Sequence, residues 1–172
     1  MIVFDVDGVI LDFNTKFVEY HNQLYSEQLT SNPNDWNFEW RKDPKILSIR
    51  IDNFVNTNPI LPLLDIYWES FLKKCRNKYK VSIVTAYPNQ INRIENLKLY
   101  NIEYDDIYFI AQANKADFIK QLNPIYVFDD CPEIIDKLNI KIYAPRKWNY
   151  LKKFQNNDKV VLYDKLEDIK LV

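Results

Sequence analysis

Short apolar runs alternate with stretches of helical spacing along most of the chain. Ile2–Phe4 stops at Asp5, Val81–Val84 stops at Thr85, and Ile125–Phe128 stops at Asp129. Ile107–Ile110, Ile140–Tyr143 and a weaker run at Val160–Tyr163 complete the set. Runs this short, apolar without alternation, read as strands buried on both faces. Between them, residues 90–100, 115–122 and 132–138 carry helical spacing, with Asn114 as an N-cap and Asp117 three positions on. The alternation predicts an α/β chain with a Rossmann-like parallel sheet and helices on both faces. Ligands bind such sheets at the carboxyl ends of the strands, where Asp5, Asp7, Thr85, Asp129 and Asp130 would gather.

Residues 13–78 break this rhythm. They read as a helix near 14–28, a polar loop near 29–44 with Trp36, Phe38 and Trp40, and helices near 45–56 and 62–78. The expected organisation is therefore a core of residues 1–12 and 79–172, with 13–78 inserted as a small helical cap.

Composition narrows the function. Lys and Arg number 23 against 24 Asp and Glu, so the chain lacks the basic excess of a nucleic-acid or anionic-membrane binder. One His and two widely separated Cys leave no room for a disulfide framework or a zinc site. Neither a signal peptide nor a spanning apolar stretch is legible, and a soluble cytoplasmic protein is expected. The sole glycine, Gly8, falls inside Asp5-Val6-Asp7-Gly8. A glycine there suits a positive φ or a close backbone approach.

Asp5 and Asp7 point the same way from an extended strand end, so two carboxylates lie close together. Such a pair needs a metal or a shared proton. Asp129-Asp130 repeats the device. Four hard oxygen donors without a His or Cys cluster favour Mg²⁺ over zinc. Thr85 adds a hydroxyl and Lys115 a positive charge. Together they suit a dianionic phosphate beside a hard metal, with one carboxylate free to attack.

These motifs, in this order, resemble those of the haloacid dehalogenase-like phosphatases: Asp-x-Asp-Gly at Asp5–Gly8, Thr85 ending the next core strand, Lys115, and the paired acids Asp129-Asp130. Within that superfamily the chain is most similar to the type C 5′(3′)-deoxyribonucleotidases. DVDGVILDF at Asp5–Phe13, DDCPE at Asp129–Glu133 and the segment Pro145 to Trp148-Asn149 carry that likeness. The family's Thr-Ser-Pro is here Thr85-Ala86-Tyr87-Pro88, which loses a hydroxyl.

The resemblance implies two-step hydrolysis of a phosphomonoester, with a nucleoside monophosphate as the expected partner. Asp5 would be the nucleophile and Asp7 the general acid and base. Asp5, the Asp7 carbonyl and Asp130 would hold Mg²⁺, with Asp129 behind them. Thr85 and Lys115 would bind phosphoryl oxygens, and so would the backbone N–H groups after Thr85, at Ala86, and after Asp5, with Gly8 among the phosphate-binding residues. Phe13, Trp36, Phe38 and Trp40 are candidates to stack on a base, although aromatics equally pack a small cap onto a sheet. Trp148 is open to both readings, and His21 is expected on a cap helix face at or near the surface. A sugar phosphate or a non-catalytic phosphate-binding role are the alternatives, and the family likeness leaves room for a homodimer.

Overall fold

The computed structural model describes residues 1–171. Strand β1 (Ile2–Phe4) has no polar side chain and lies between two neighbours, pairing in parallel with β2 (Val81–Thr85) and with β4 (Tyr126–Phe128). With β3 (Asp106–Phe109), β5 (Lys141–Pro145) and β6 (Val160–Tyr163), the sheet runs β3-β2-β1-β4-β5-β6, parallel throughout. The chain winds outward from β1 through β2 and β3, then crosses back to β4. The crevice of such a doubly wound sheet opens at that reversal, outside the ends of β1 and β4. Asp5 and Asp129 immediately follow those two ends.

Successive strand residues face opposite sides, and each side has its own core. Ile2, Phe4, Ile83 and Phe128 pack with Trp68 and Leu72 of α3 (Trp68–Arg76) and Leu97 of α4 (Gln90–Leu99). Val3, Val84, Val127 and Ile142 pack with Ile119 of α5 (Gln112–Leu122) and Ile134 of α6 (Pro132–Lys137).

The segment between β1 and β2 carries α1 (Phe13–Leu24) and α2 (Pro44–Val55). Asp12 caps α1 through Thr15, and Asp43 caps α2 with Pro44 in its first turn. Phe17 joins the two helices to the loop between them, its ring 5.3 Å from Phe38 and 5.8 Å from Phe54. The chain's exit and return run side by side, Asp12 N–H donating to the Pro62 carbonyl and Leu64 N–H to that of Ile10. The helix expected from residue 62 therefore starts only at Trp68, whose ring meets Phe4 and Phe128 on the sheet. Helix α5 begins three residues earlier than its spacing suggested. Asn114 lies in its first turn, with its N–H bonded to the Ala111 carbonyl, and is not the N-cap.

Candidate active site

Beyond β1 the backbone turns sharply: the N–H groups of Val9, Ile10 and Leu11 all point to the Val6 carbonyl, and Gly8 N–H donates to Leu11. Gly8 adopts φ +79°, and a Cβ there would stand 2.2 Å from Asp130 Oδ2. Trp148, fully buried, donates from Nε1 to the Gly8 carbonyl at 2.7 Å. Of its two readings, the packing one describes it.

Asp5 is oriented from two sides. Val6 N–H donates to Oδ1 at 2.7 Å, and Lys115 Nζ lies 2.8 Å from Oδ2. The same ammonium is 2.9 Å from Asp129 Oδ2, while Asp129 Oδ1 accepts the Cys131 N–H. Lys115 is 1% exposed, a buried link between two strand ends. Burial works against its charge, but Asp129 and Asp5 outweigh that and push its pKa up. Asp130 Oδ2 accepts the Tyr150 hydroxyl at 2.6 Å, and Asn14 Nδ2 donates to the same hydroxyl. Asp130 Oδ1 is buried without a hydrogen-bond partner.

Asp5, Asp129 and Asp130 each place a carboxylate oxygen within 4.8 Å of the others'. Three carboxylates face one ammonium, leaving two formal negative charges in a buried site. Burial, then the neighbouring acids, drives the Asp130 carboxyl well above its usual range, and burial raises Asp129 as well. The unpartnered Asp130 oxygen, the hard donor set and the charge deficit all fit a divalent cation such as Mg²⁺. Asp129 shares Lys115 with Asp5 and keeps a carboxylate oxygen within 4.8 Å of those of Asp5 and Asp130.

Asp5 and Asp7 both line a pocket of about 310 Å³. Burial pushes the Asp7 carboxyl up to about 6; Arg93 opposes this, Asp5 adds to it, and Lys115 and the Thr85 hydroxyl oppose it. Thr85 and Ala86 line the same pocket, and the Thr85 hydroxyl also accepts Tyr87 N–H at 3.4 Å. Phe13, Trp36, Phe38, Leu47, Ile51 and Val55 form its walls with Tyr87. Phe13 stacks on Phe17 and meets Tyr87 edge-on, and Trp36 stands edge-on to Tyr150.

Trp40 is not brought to this pocket. Its indole donates to the Asp43 carbonyl, and its ring lies under the Arg50 guanidinium. His21 is fully buried rather than at the surface, because Phe17, Tyr25 and Trp40 close around it. Cys131 reaches the pocket wall, but burial and then Asp129 push its thiol up to about 12, which leaves it inert as a nucleophile.

Three residues unmarked in the sequence belong to this neighbourhood. Asn14 and Tyr150 steady Asp130, and Arg93 Nη2 lies 2.6 Å from Asp7 Oδ1. Tyr150 follows the Trp148-Asn149 segment by one position, the nearest thing to a signal for it. Arg93 has none, as one of two cations in a polar helix.

No protein-family model matches the chain, and neither does any curated protein. Solved structures do. A protein described as a phosphoglycolate phosphatase from Lactobacillus delbrueckii subsp. bulgaricus aligns over 96% of this chain and 94% of its own, with a TM-score of 0.63 and 13% identity. A haloacid dehalogenase-like family hydrolase from Xanthomonas campestris aligns over 96% and 90%, at 0.56 and 8%. A HAD-superfamily hydrolase from Ehrlichia chaffeensis aligns over 97% and 92%, at 0.53 and 11%. Identities this low speak to the fold alone, and the chain has the haloacid dehalogenase-like fold. Among the described residues no helix is long and apolar enough to cross a membrane.

Proposed function

We propose that the protein is a Mg²⁺-dependent phosphomonoester phosphatase acting on nucleoside monophosphates, with residues 13–78 as its cap. The observation that carries this reading is the buried set Asp5, Asp129 and Asp130 around Lys115, with Asp5 and Asp7 lining the adjoining pocket. Asp5, the Asp7 carbonyl and Asp130 would hold the ion, which when bound offsets charge on the phosphoryl oxygens.

In the first step an Asp5 carboxylate oxygen bonds to phosphorus as the ester P–O bond breaks. The departing oxygen keeps the electron pair and takes the proton from Asp7, leaving an aspartyl-phosphate. In the second, Asp7 takes a proton from water while the water oxygen attacks phosphorus. The P–O bond to Asp5 breaks, and phosphate and the free carboxylate return. Lys115 and Val6 N–H keep Asp5 aimed, and Thr85 with the Ala86 N–H receives phosphoryl oxygens.

The pocket walls favour a nucleoside as the leaving group. They are aromatic and aliphatic, and no Lys or Arg is among the described residues that line them. A second reading, a sugar phosphate or other small phosphate, draws on Asn14, Asn37 and Gln112 in the same wall. The test is phosphate release from nucleoside and deoxynucleoside monophosphates against sugar phosphates, with Mg²⁺ or EDTA and with Asp5→Asn as background. Release that needs both Mg²⁺ and Asp5 and favours nucleotides supports the first reading. A preference for sugar phosphates transfers support to the second, and release that survives Asp5→Asn removes the mechanism.

A further inference from the structure

Helix α4 follows β2 and carries three buried polar side chains, Asn92, Arg93 and Asn96. The two asparagines, with Asn89, fasten the helix to the chain leaving the insertion. Asn96 Oδ1 accepts Leu61 N–H at 2.7 Å and its Nδ2 donates to the Pro59 carbonyl, while Asn89 Nδ2 donates to Asn58. Arg93 does something different. Its side chain is 0% exposed, its Nη2 donates to Asp7 Oδ1, and its Nε and Nη1 have no hydrogen-bond partner. The guanidinium lies 3.7 Å over the ring of Tyr87, itself buried and bonded to Asn92 Oδ1.

A buried guanidinium with two donors unmet is poor as a stabilising element. Its geometry is well suited to fixing one carboxylate. The planar group is clamped on an aromatic face, on a helix fastened by its own amides, and it holds Asp7 through a single nitrogen. Arg93 is not among the residues lining the pocket, so a substrate there meets Asp7 and not the arginine.

We propose that Arg93 is the positioning residue for Asp7, holding one carboxylate oxygen so that the other is presented to the leaving group. The inference rests on the phosphatase reading and adds to it a residue that acts only through the proton-transfer step. Its consequence depends on the leaving group. An alkoxide needs its proton as the P–O bond breaks, whereas p-nitrophenolate departs unaided. A disturbed Asp7 should therefore slow the first step selectively for alkyl phosphates, whereas the second step, in which Asp7 takes the proton from water, is common to every ester.

The experiment compares wild type, Arg93→Met, Arg93→Lys and Asp5→Asn on a nucleoside monophosphate and on p-nitrophenyl phosphate. The single-turnover rate of leaving-group release, which reads the first step alone, is measured beside KM, and folding is followed by thermal unfolding. For Arg93→Met, the single-turnover release rate on the nucleotide should fall on the order of 100-fold, within the range of general acid–base contributions. The fall on p-nitrophenyl phosphate should stay under about 5-fold, with KM for either ester moving little, since uniform binding is untouched. Arg93→Lys should recover part of the nucleotide rate. Equal losses on both esters, a loss confined to KM, or no loss overturns the positioning role while leaving the phosphatase reading intact. A wild type without Asp5-dependent release from either ester overturns both. If Arg93→Met does not fold, Arg93→Lys decides alone: a loss weighted toward the nucleotide supports the role, and an even loss overturns it.

Discussion

Gly8 and Asp130 occupy each other's space: a Cβ on the glycine would stand 2.2 Å from the aspartate's Oδ2. The contact ties the turn after β1 to the end of β4, and Trp148 closes it from behind through the Gly8 carbonyl. Gly8→Ala meets two obstacles, the φ of +79° and a carboxylate locked by Tyr150. It should destabilise the fold by more than about 1 kcal/mol. It should also displace Asp130, so that Mg²⁺ no longer raises the melting temperature as it does for the wild type. Thermal unfolding with and without Mg²⁺ checks this, and a variant that keeps the full metal-dependent rise would separate Asp130 from the metal.

Tyr150 supplies the second hold on Asp130. Tyr150→Phe removes the 2.6 Å hydrogen bond to Oδ2 and leaves a buried carboxylate with neither oxygen paired. Residues that orient a metal ligand typically account for 10–100-fold in affinity, and a Mg²⁺ requirement raised by about that factor is expected. A Mg²⁺ titration of phosphate release reads it directly. Unchanged half-saturation would mean that Asp130 needs no help from the tyrosine.

The carboxylate set was legible in sequence because each acid follows a short apolar run, and a buried parallel strand leaves that pattern unbroken. Helix α4 hides its role for the opposite reason. Its buried face carries Asn92, Arg93 and Asn96 beside a single apolar residue, Leu97, while Ile91 and Leu99 are exposed, so hydrophobic spacing marks that face poorly. Asn114 imitates an N-cap, yet the helix starts at Gln112, so Lys115 lies in its first turn and is buried against Asp5 and Asp129. The loop aromatics could not be separated by type. Trp36 and Phe38 reach the pocket and Trp40 does not, because Arg50 draws its ring toward His21, a pairing 29 positions apart in the chain.

Phe13 offers a test of what the pocket binds. It lines the wall, with its ring 5.9 Å from Phe17 and 6.5 Å from Tyr87. Base–aromatic stacking is worth roughly 1–3 kcal/mol. Phe13→Ala should therefore lower kcat/KM for nucleoside monophosphates by about 10-fold or more, and for a small alkyl phosphate by much less. Equal losses on both would mark Phe13 as packing for the insertion instead.

The only imidazole of the chain gives a pH signature at a distance from the site. His21 Nε2 lies 2.8 Å from Arg50 Nη1, which can only donate, so this nitrogen accepts and the proton sits on Nδ1 facing Asn22 Oδ1 at 3.2 Å. Arg50 is held in turn by Glu27, which also pairs with Lys42, and by the rings of Tyr25 and Trp40. Burial lowers the His21 pKa from 6.5; the Asn22 hydrogen bond opposes it, Arg50 adds to the lowering and Glu27 opposes it. Below 6.5 the unfolded chain therefore binds a proton that the native state refuses, and stability falls as pH falls. The slope is at most about 1.4 kcal/mol per pH unit, ending once the native imidazole titrates. His21→Gln keeps an acceptor for Arg50 without a titrating ring. Its stability should change less between pH 7 and 5 than that of the wild type, with contributions from other groups cancelling in the difference. Urea unfolding of both proteins across that range gives the difference, and NMR of the single imidazole gives its pKa. Parallel stability curves, or an imidazole that titrates at 6.5 or above, would show that His21 accepts a proton inside the fold and that the Arg50 contact does not hold it neutral.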